Sequence, residues 1–261
     1  MNTIEVLAAA ERAVAPLSLS DEFCKKYGAY DNSGIIFDAA AEITGALFAL
    51  DLTMSAARQA ADSGCNLVLT HHPAIFTGIK HLSARPGEPT SALAFCIAHG
   101  ISVISMHLNF DAAPHGIDYM LMHGLGGERE EAVLNTLSGG GYGRVYEVRT
   151  QPFASFCKAA AEEFSTARCR FYGDGVVKRV ASFCGAGCDE ESIAFAAAHG
   201  ADTFVSADMK HHHIAALLQA GMKVVEMTHY ASEFYGFSRI YDRIKGVYPF
   251  PCALRREDAL L

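Results

Sequence analysis

The sequence predicts an α/β fold with two similar lobes, each a mixed or parallel sheet flanked by helices. Three observations support this. Short apolar strand candidates alternate with Ala-rich helix candidates between residues 43 and 106, the rhythm of parallel βαβ units. A glycine-rich stretch, "LSGGGYGRVYEV" at 137–148, then interrupts that rhythm. Beyond it the rhythm resumes and partly repeats the first half of the chain.

The elements of the first lobe follow from apolar patterning and from glycines that end helices. In chain order we predict a helix at 3–15, a turn and strand at 31–37, a strand at 43–53, a helix at 54–64, a strand at 66–70, a helix at 89–100 and a strand at 101–106.

The second lobe is predicted to begin near the glycine-rich stretch. Its elements are a helix at 152–164, a strand at 177–187 and further strands at 203–206 and 223–227. We place the first lobe at 1–124 plus 221–261 and the second at 125–220.

Parts of the two halves look alike. "ADSGCNLVLTHH" resembles "AAHGADTFVSADMKHH", and "AHGISVISMHLNFD" resembles "QAGMKVVEMTHYASE". Gly64 then falls in register with Gly200, and Gly100 with Gly221. An internal duplication explains this echo, and so does the common appearance of any helix–glycine–strand unit.

Composition excludes several functions. The net charge is −8, from 21 basic and 29 acidic residues, and no basic run is present, so direct DNA binding is not expected. Apolar runs fall well short of the roughly 20 residues of a membrane helix. The N-terminus lacks a signal-peptide pattern, so we expect a cytoplasmic protein. The 8 cysteines contain no CxxC pair, and we expect free thiols.

Polar residues of metal-binding type cluster where predicted strands end, which is where open α/β sheets bind ligands. His71 and His72 follow strand 66–70, and His107 and Asp111 follow strand 101–106. Strand 203–206 is followed by Lys210, His211 and His212, and strand 223–227 by His229 and Glu233.

Five of these residues form a mixed nitrogen and oxygen set that suits zinc, iron or manganese: His71, His72, Asp111, His229 and Glu233. Five ligands are too many for one catalytic ion with an open position, and they suit two ions. Adjacent side chains on an extended segment diverge, so His71 and His72 would serve different ions or need a local bend near Pro73. The alternative is that each histidine is a hydrogen-bonded structural or surface residue.

Longer motifs resemble the Nif-three-like dinuclear metal-centre family, the GTP cyclohydrolase I type 2-like proteins. The motifs are "DNSG" (31–34), "GALFALDLT" (45–53), "GCNLVLTHHPAIF" (64–76), "HGISVISMHLNFDAAPHGID" (99–118), "VASFCGAG" (180–187), "GADTFVSADMKHH" (200–212) and "MTHYASE" (227–233). Ala207 and Leu108 depart from the family pattern without removing a ligand. The stretch 125–177 leaves no room for the inserted domain of longer relatives, so the chain resembles the short form.

The resemblance implies a metal site in the cleft between two α/β lobes, with the same five ligands and a bridging Glu233 carboxylate. It also implies two divalent ions per chain and assembly into a ring-like homohexamer.

The function we expect is metal-dependent hydrolysis of a small-molecule substrate by a metal-bridged water. In the family's reaction, GTP and water give formate and 7,8-dihydroneopterin triphosphate. Glu233 and His107 are the expected catalytic residues, and Lys210, His211 and His212 are expected to contact an anionic substrate. No P-loop is present, which leaves nucleotide specificity open. The alternative is a metal-storage, structural or regulatory ring protein without turnover.

Overall fold

A computed structural model describes residues 1–261 of the chain. The chain forms two compact units. Unit 1 consists of Met1–Phe110 with Phe237–Arg256, and unit 2 of Asp111–Gly236 with Glu257–Leu261. The first expected lobe boundary, at residue 124, coincides with the end of a helix at Gly124. The second, at residue 220, directly follows a helix that ends at Gln219.

Helices and strands alternate through most of the chain. The helices are α1 (Thr3–Ala13), α2 (Leu17–Tyr27), α3 (Met54–Asp62), α4 (Ser91–Ala98), α5 (Leu108–Ala112), α6 (Ile117–Gly124), α7 (Phe153–Glu163), α8 (Glu190–Ala198), α9 (His211–Gln219) and α10 (His229–Ile244), followed by a 3-10 turn at Asp258–Leu260. The strands are β1 (Gly34–Phe37), β2 (Ala46–Ala49), β3 (Leu67–Thr70), β4 (Ser102–Ser105), β5 (Gly127–Leu137), β6 (Gly140–Pro152), β7 (Arg170–Tyr172), β8 (Val176–Ser182), β9 (Thr203–Ala207), β10 (Lys223–Met227) and β11 (Cys252–Leu254).

Unit 1 contains a five-stranded mixed sheet in the order β1-β4-β3-β2-β11. Strands β4, β3, β2 and β11 are parallel, and β1 pairs antiparallel with β4. Strands β2, β3 and β4 are buried along their whole length, which explains the apolar residues at their centres. Helices α3 and α4 pack on the sheet through small residues such as Ala57 and Cys96.

Unit 2 contains a six-stranded mixed sheet in the order β5-β6-β8-β9-β10-β7. Its centre, β8-β9-β10, is parallel, and β6 and β7 flank it antiparallel. Strands β5 and β6 form a long hairpin. The core on one face includes Phe183, Phe204 and Leu217, all fully buried.

The two units share a layout, which confirms the predicted α/β fold. The path β2-α3-β3-α4-β4 in unit 1 matches β8-α8-β9-α9-β10 in unit 2. The four glycines of the sequence echo, at 64, 100, 200 and 221, all follow a helix and have φ between 64° and 81°. A left-handed residue after a helix is the usual end signal, and glycine adopts it without strain.

Several elements differ from the prediction. Helix α2 was not predicted, because its polar sequence buries only Leu19, Ser20 and Phe23. Strand β2 is shorter than the predicted 43–53, since the chain bends at Leu50–Asp51 and Thr53 caps α3 by accepting a hydrogen bond from Ala56 N. The long strand β5 and the short strand β11 were also missed.

Two composition-based expectations can be compared with the structure. All 8 cysteines are free thiols, as predicted. None of the helices is both long enough and apolar enough to cross a membrane.

Candidate metal centre

His71 and His72 lie where β3 leaves the sheet of unit 1. Their backbone N–H groups still donate to Ala49 O and Leu50 O, at 3.2 and 2.9 Å, so the segment continues beside the end of β2. The chain bends at this point, and the two imidazole centroids are 4.9 Å apart. Of the two arrangements expected for adjacent histidines, the structure has the local bend.

His107 completes a cluster with His71 and His72, which we call the histidine group. Its ring centroid lies 5.1 Å from that of His71 and 5.9 Å from that of His72. Phe76 stands edge-on to His107 with centroids 6.1 Å apart, and Tyr30 contacts Phe76 at 5.6 Å. These two aromatic side chains are about half exposed, at 48% and 57%.

Each imidazole of the histidine group is oriented through Nδ1. His71 Nδ1 lies 3.0 Å from Met106 O, His72 Nδ1 2.7 Å from Asp51 Oδ1, and His107 Nδ1 3.0 Å from Asp31 Oδ1. A carbonyl or carboxylate oxygen only accepts, so Nδ1 carries the proton in all three. The lone pair of each neutral ring is therefore on Nε2, the arrangement typical of metal-binding histidines.

Asp31 is held as an anion. Burial opposes ionisation, but hydrogen bonds from His107 and Ser33 outweigh it and lower the pKa of Asp31 to about 2. The Ser33 hydroxyl also accepts a hydrogen bond from the His107 backbone N–H at 2.9 Å. The "DNSG" turn thus supports both the ring and the backbone of His107.

Unit 2 contains a second cluster, which we call the carboxylate group: Asp111, Cys184 and Glu233. One potential ligand atom from each lies within 4.8 Å of the others, and all three residues are buried. The Cys184 thiol donates to Asp111 Oδ1 at 3.5 Å. Burial, and then the charges of Asp111, Asp118 and Glu233, raise the pKa of Cys184 well above its ordinary value. The protein alone therefore keeps Cys184 as a thiol between two carboxylates.

His229 is at the start of α10, one turn before Glu233. Its Nε2 is 2.9 Å from Glu233 Oε1, and its Nδ1 is 2.6 Å from Asp208 Oδ2. The shared helix face follows from the four-residue spacing. Because Asp208 accepts from Nδ1, His229 also directs Nε2 toward the potential site.

Gly185 makes close approach to Glu233 possible. A Cβ built at this position would lie 2.4 Å from Glu233 Oε1 and 3.3 Å from the His229 ring, and φ is +59°. Any other residue would be strained and would displace the carboxylate. The Gly185 N–H donates to Ser232 Oγ at 3.0 Å, which ties the turn to α10.

A buried ion pair supports the same turn. Asp118 pairs with Arg144 and accepts from the backbone N–H groups of Gly143 and Cys184, at 2.9 and 3.1 Å. The side chains of Asp118 and Arg144 are only 0% and 3% exposed. Asp118 therefore positions Cys184 through the backbone, next to Asp111 and Glu233.

The structure thus groups the predicted site residues by unit. His71, His72 and His107 cluster in unit 1, and Asp111, His229 and Glu233 occupy neighbouring positions in unit 2. The donor atoms are imidazole nitrogens and carboxylate oxygens, which fit zinc, iron(II) or manganese.

The predicted substrate residues lie at the start of α9. Lys210, His211 and His212 are exposed there, two to four residues after Asp208. His99 and His199, the C-terminal cap residues of α4 and α8, each place Nδ1 within hydrogen-bond distance of the carbonyl four residues earlier.

Sequence reasoning assigned no role to four residues of the site. Asp31, Asp51 and Asp208 orient histidines, and Cys184 lies between two carboxylates. All four lie inside the motifs quoted for the family resemblance. A search for acceptors that orient each metal-binding histidine would have identified the three aspartates as candidates.

Known proteins resemble this chain along most of its length. A family model described as Duf34/NIF3 (NGG1p interacting factor 3) matches residues 19–251. A Clostridium acetobutylicum protein named GTP cyclohydrolase 1 type 2 homolog is 25% identical over 232 residues, or 84% of this chain and 81% of that protein. A Staphylococcus aureus protein of the same name is 38% identical over 98 residues, which are 37% of this chain and 26% of the relative.

Solved structures show the same fold. The crystal structure of a Staphylococcus aureus hypothetical protein matches with a TM-score of 0.84 at 22% identity, covering 99% of this chain and 97% of that one. A Bacillus cereus protein related to NIF3 matches with a TM-score of 0.80 at 16% identity, covering 98% and 97%.

Proposed function

We propose, from the premise that this chain belongs to the Duf34/NIF3 family, that it is a hydrolase dependent on two divalent metal ions. The proposed ligands are His71, His72, Asp111, His229 and Glu233. One observation carries the proposal. His71, His72 and His229 each donate a hydrogen bond from Nδ1 to a protein oxygen, so the lone pair of each neutral ring is on Nε2, the atom that would bind the metal.

Zinc, iron(II) and manganese all suit this ligand set. When bound, two such ions would activate water as a nucleophile near neutral pH and polarise the substrate atom under attack. Glu233 is proposed to supply a carboxylate ligand to this centre. Its position is supported by burial at 3% exposure and by the lack of a side chain at Gly185.

His107 is proposed as the acid or base of the reaction. Its Nδ1 is committed to Asp31, so proton exchange takes place at Nε2. The Asp31 carboxylate would stabilise the imidazolium form while the ring holds a proton. This places the reactive nitrogen of His107 in the same cluster as His71 and His72.

For the substrate, we propose a nucleotide such as GTP, hydrolysed to formate and 7,8-dihydroneopterin triphosphate. The name of the Clostridium acetobutylicum relative supports this class. The half-exposed aromatic pair Tyr30 and Phe76 beside His107 offers a stacking surface for a flat ring. Lys210, His211 and His212 are proposed to contact the anionic part.

The proposal is tested with untagged protein stripped by chelator and reloaded with one metal at a time. We expect elemental analysis to find two ions per chain that depend on the five ligands of this centre, together with formate release from GTP. A panel of other nucleotides and phosphoesters covers a different substrate. Glu233→Gln and His71→Ala should lose turnover at least 100-fold, by analogy with removal of an essential catalytic group. His99→Ala, a helix-end histidine, is the matched control and should retain activity.

Two outcomes contradict the proposal in different ways. Metal-loaded protein that turns over nothing in the panel would reject the hydrolase and leave the storage or regulatory ring protein. Protein that binds no transition metal, with His72→Ala unchanged in stability, would reject the metal centre itself. The proposed homohexamer predicts a light-scattering mass six times the chain mass of 28.0 kDa.

A further inference from the structure

We propose that Glu190, His212 and His213 form an additional binding site for one divalent ion of the zinc type. The ion would tie the start of α8 to the start of α9. The site uses none of the five residues proposed for the dinuclear centre. It assigns His212 to this ion in place of the substrate contact proposed above, which Lys210 and His211 would still make.

The three side chains converge although they come from two helices. One potential ligand atom of each lies within 4.8 Å of the others. Neighbouring residues on a helix usually point about 100° apart. The rings of His212 and His213 nevertheless lie close, with centroids 4.3 Å apart.

The distance between His213 and Glu190 fits two ligands of one ion better than a strong ion pair. His213 Nε2 is 3.3 Å from Glu190 Oε1. Charge-assisted hydrogen bonds of this kind are commonly about 2.7–2.9 Å, as seen for His72 with Asp51 at 2.7 Å. Two ligands on a tetrahedral zinc, at bonds of about 2.0–2.1 Å, are roughly 3.3 Å apart.

Burial of His213 is the second observation. The residue is 3% exposed, and its Nδ1 has no hydrogen-bond partner. The ion would bind Nε2, the nitrogen beside Glu190, and would leave Nδ1 unchanged. Burial supports the site because it holds the ring in one orientation, with Nε2 toward Glu190.

The local charge also permits a cation. The positive ends of the two helix dipoles and the charge of Lys210 disfavour a bound cation. Three acidic residues at the start of α8 oppose them: Glu190 and Glu191 in its first turn and Asp189 as its N-terminal cap. Two imidazoles and one carboxylate form a known zinc ligand set that leaves a position for water.

The test measures metal content, not activity. Untagged, chelator-stripped protein is dialysed against buffered zinc, and bound zinc per chain is determined for wild type, His212→Ala and Glu190→Gln. Both substituted residues are exposed, so the variants are expected to fold. Each should bind one ion fewer than wild type, and the zinc-induced rise in Tm should shrink.

Adjacent residues give matched controls. His211→Ala and Glu191→Gln remove the same groups one position away and should keep the wild-type stoichiometry. A Glu233→Gln background should still lose one ion on His212→Ala, which separates this site from the dinuclear centre. Unchanged zinc content in His212→Ala, or an equal loss in His211→Ala, would overturn the proposal.

Discussion

His72 donates a hydrogen bond from Nδ1 to Asp51, with the two atoms 2.7 Å apart. Asp51 follows the end of β2, and His72 follows the end of the neighbouring strand β3. The parallel pairing of these strands therefore carries the carboxylate to the imidazole that it orients. A residue with no proposed contact to metal thereby controls which nitrogen His72 presents.

Replacing Asp51 should weaken metal binding without removing a ligand. We expect Asp51→Ala to raise the zinc Kd by about 10–100-fold, the usual effect of losing the partner of a metal-binding histidine. Competition with a chromogenic chelator measures this. Asp62→Ala, at the exposed end of α3, should leave the Kd unchanged. An equal Kd for Asp51→Ala and wild type would show that this hydrogen bond does not prepare the site.

Gly185→Ala should disturb the carboxylate group. Two costs add: a non-glycine residue in left-handed backbone, about 1–2 kcal/mol, and a clash of Cβ with Glu233 Oε1. Gly221→Ala should show only the backbone cost, because φ is +81° but nothing lies within 4 Å of its Cβ position. Denaturant unfolding should show a larger loss for Gly185→Ala, and elemental analysis a loss of metal in that variant alone. Equal losses in both would contradict the close packing.

The Asp31–His107 pair predicts acid sensitivity. The pKa of Asp31 in the folded protein is about 2, below the roughly 3.9 of an unfolded chain. Its stabilising contribution is therefore complete above pH 4 to 5 and lost as pH falls toward 2. We expect ionised Asp31 to contribute roughly 1–2 kcal/mol to the free energy of unfolding, after allowance for solvent screening. Unfolding of metal-free protein between pH 2 and 5 should show a shallower pH dependence in Asp31→Asn, and an unchanged slope would contradict the assignment.

The buried pair of Asp118 and Arg144 should matter far more than a surface pair. Removing one partner of a buried pair costs about 3–5 kcal/mol, because the other charge stays buried. We therefore expect Asp118→Ala to lower the free energy of unfolding by that amount. Arg129, paired with Glu131 at 2.8 Å but 69% exposed, is the control. Arg129→Ala should lower the free energy of unfolding by at most about 1 kcal/mol. Similar losses in Asp118→Ala and Arg129→Ala would show that burial of the Asp118–Arg144 pair does not matter for stability.

Patterns within short windows predicted the βαβ rhythm and the helix-ending glycines, because both depend on local backbone and burial. Helix α2 was not predicted because only three of its residues are buried. The carboxylates that orient the histidines were not predicted for a different reason. Asp51 is 21 residues from His72 and Asp31 is 76 residues from His107, so only tertiary structure brings each pair together.

The sequence left open whether the side chains of His71 and His72 diverge or are brought together by a local bend. An ideal strand would separate them. In the structure, Thr70 Oγ1 bonds to both His72 O and Ser105 Oγ, at 2.8 and 2.7 Å, and these contacts accompany the bend. The two histidines therefore lie in a bend directly after β3.

The parallel edge strand β11 has a consequence for synthesis. Cys252–Leu254 pairs with Ala46–Phe48 in unit 1, although about 200 residues separate them. A ribosome that makes the chain from its N-terminus exposes the open side of β2 until residue 254 has emerged. Unit 2 is nearly complete by then, so the second unit in sequence is free to fold before the first. Nascent chains stalled before residue 252 would carry an unprotected apolar strand edge, the kind of surface that chaperones recognise.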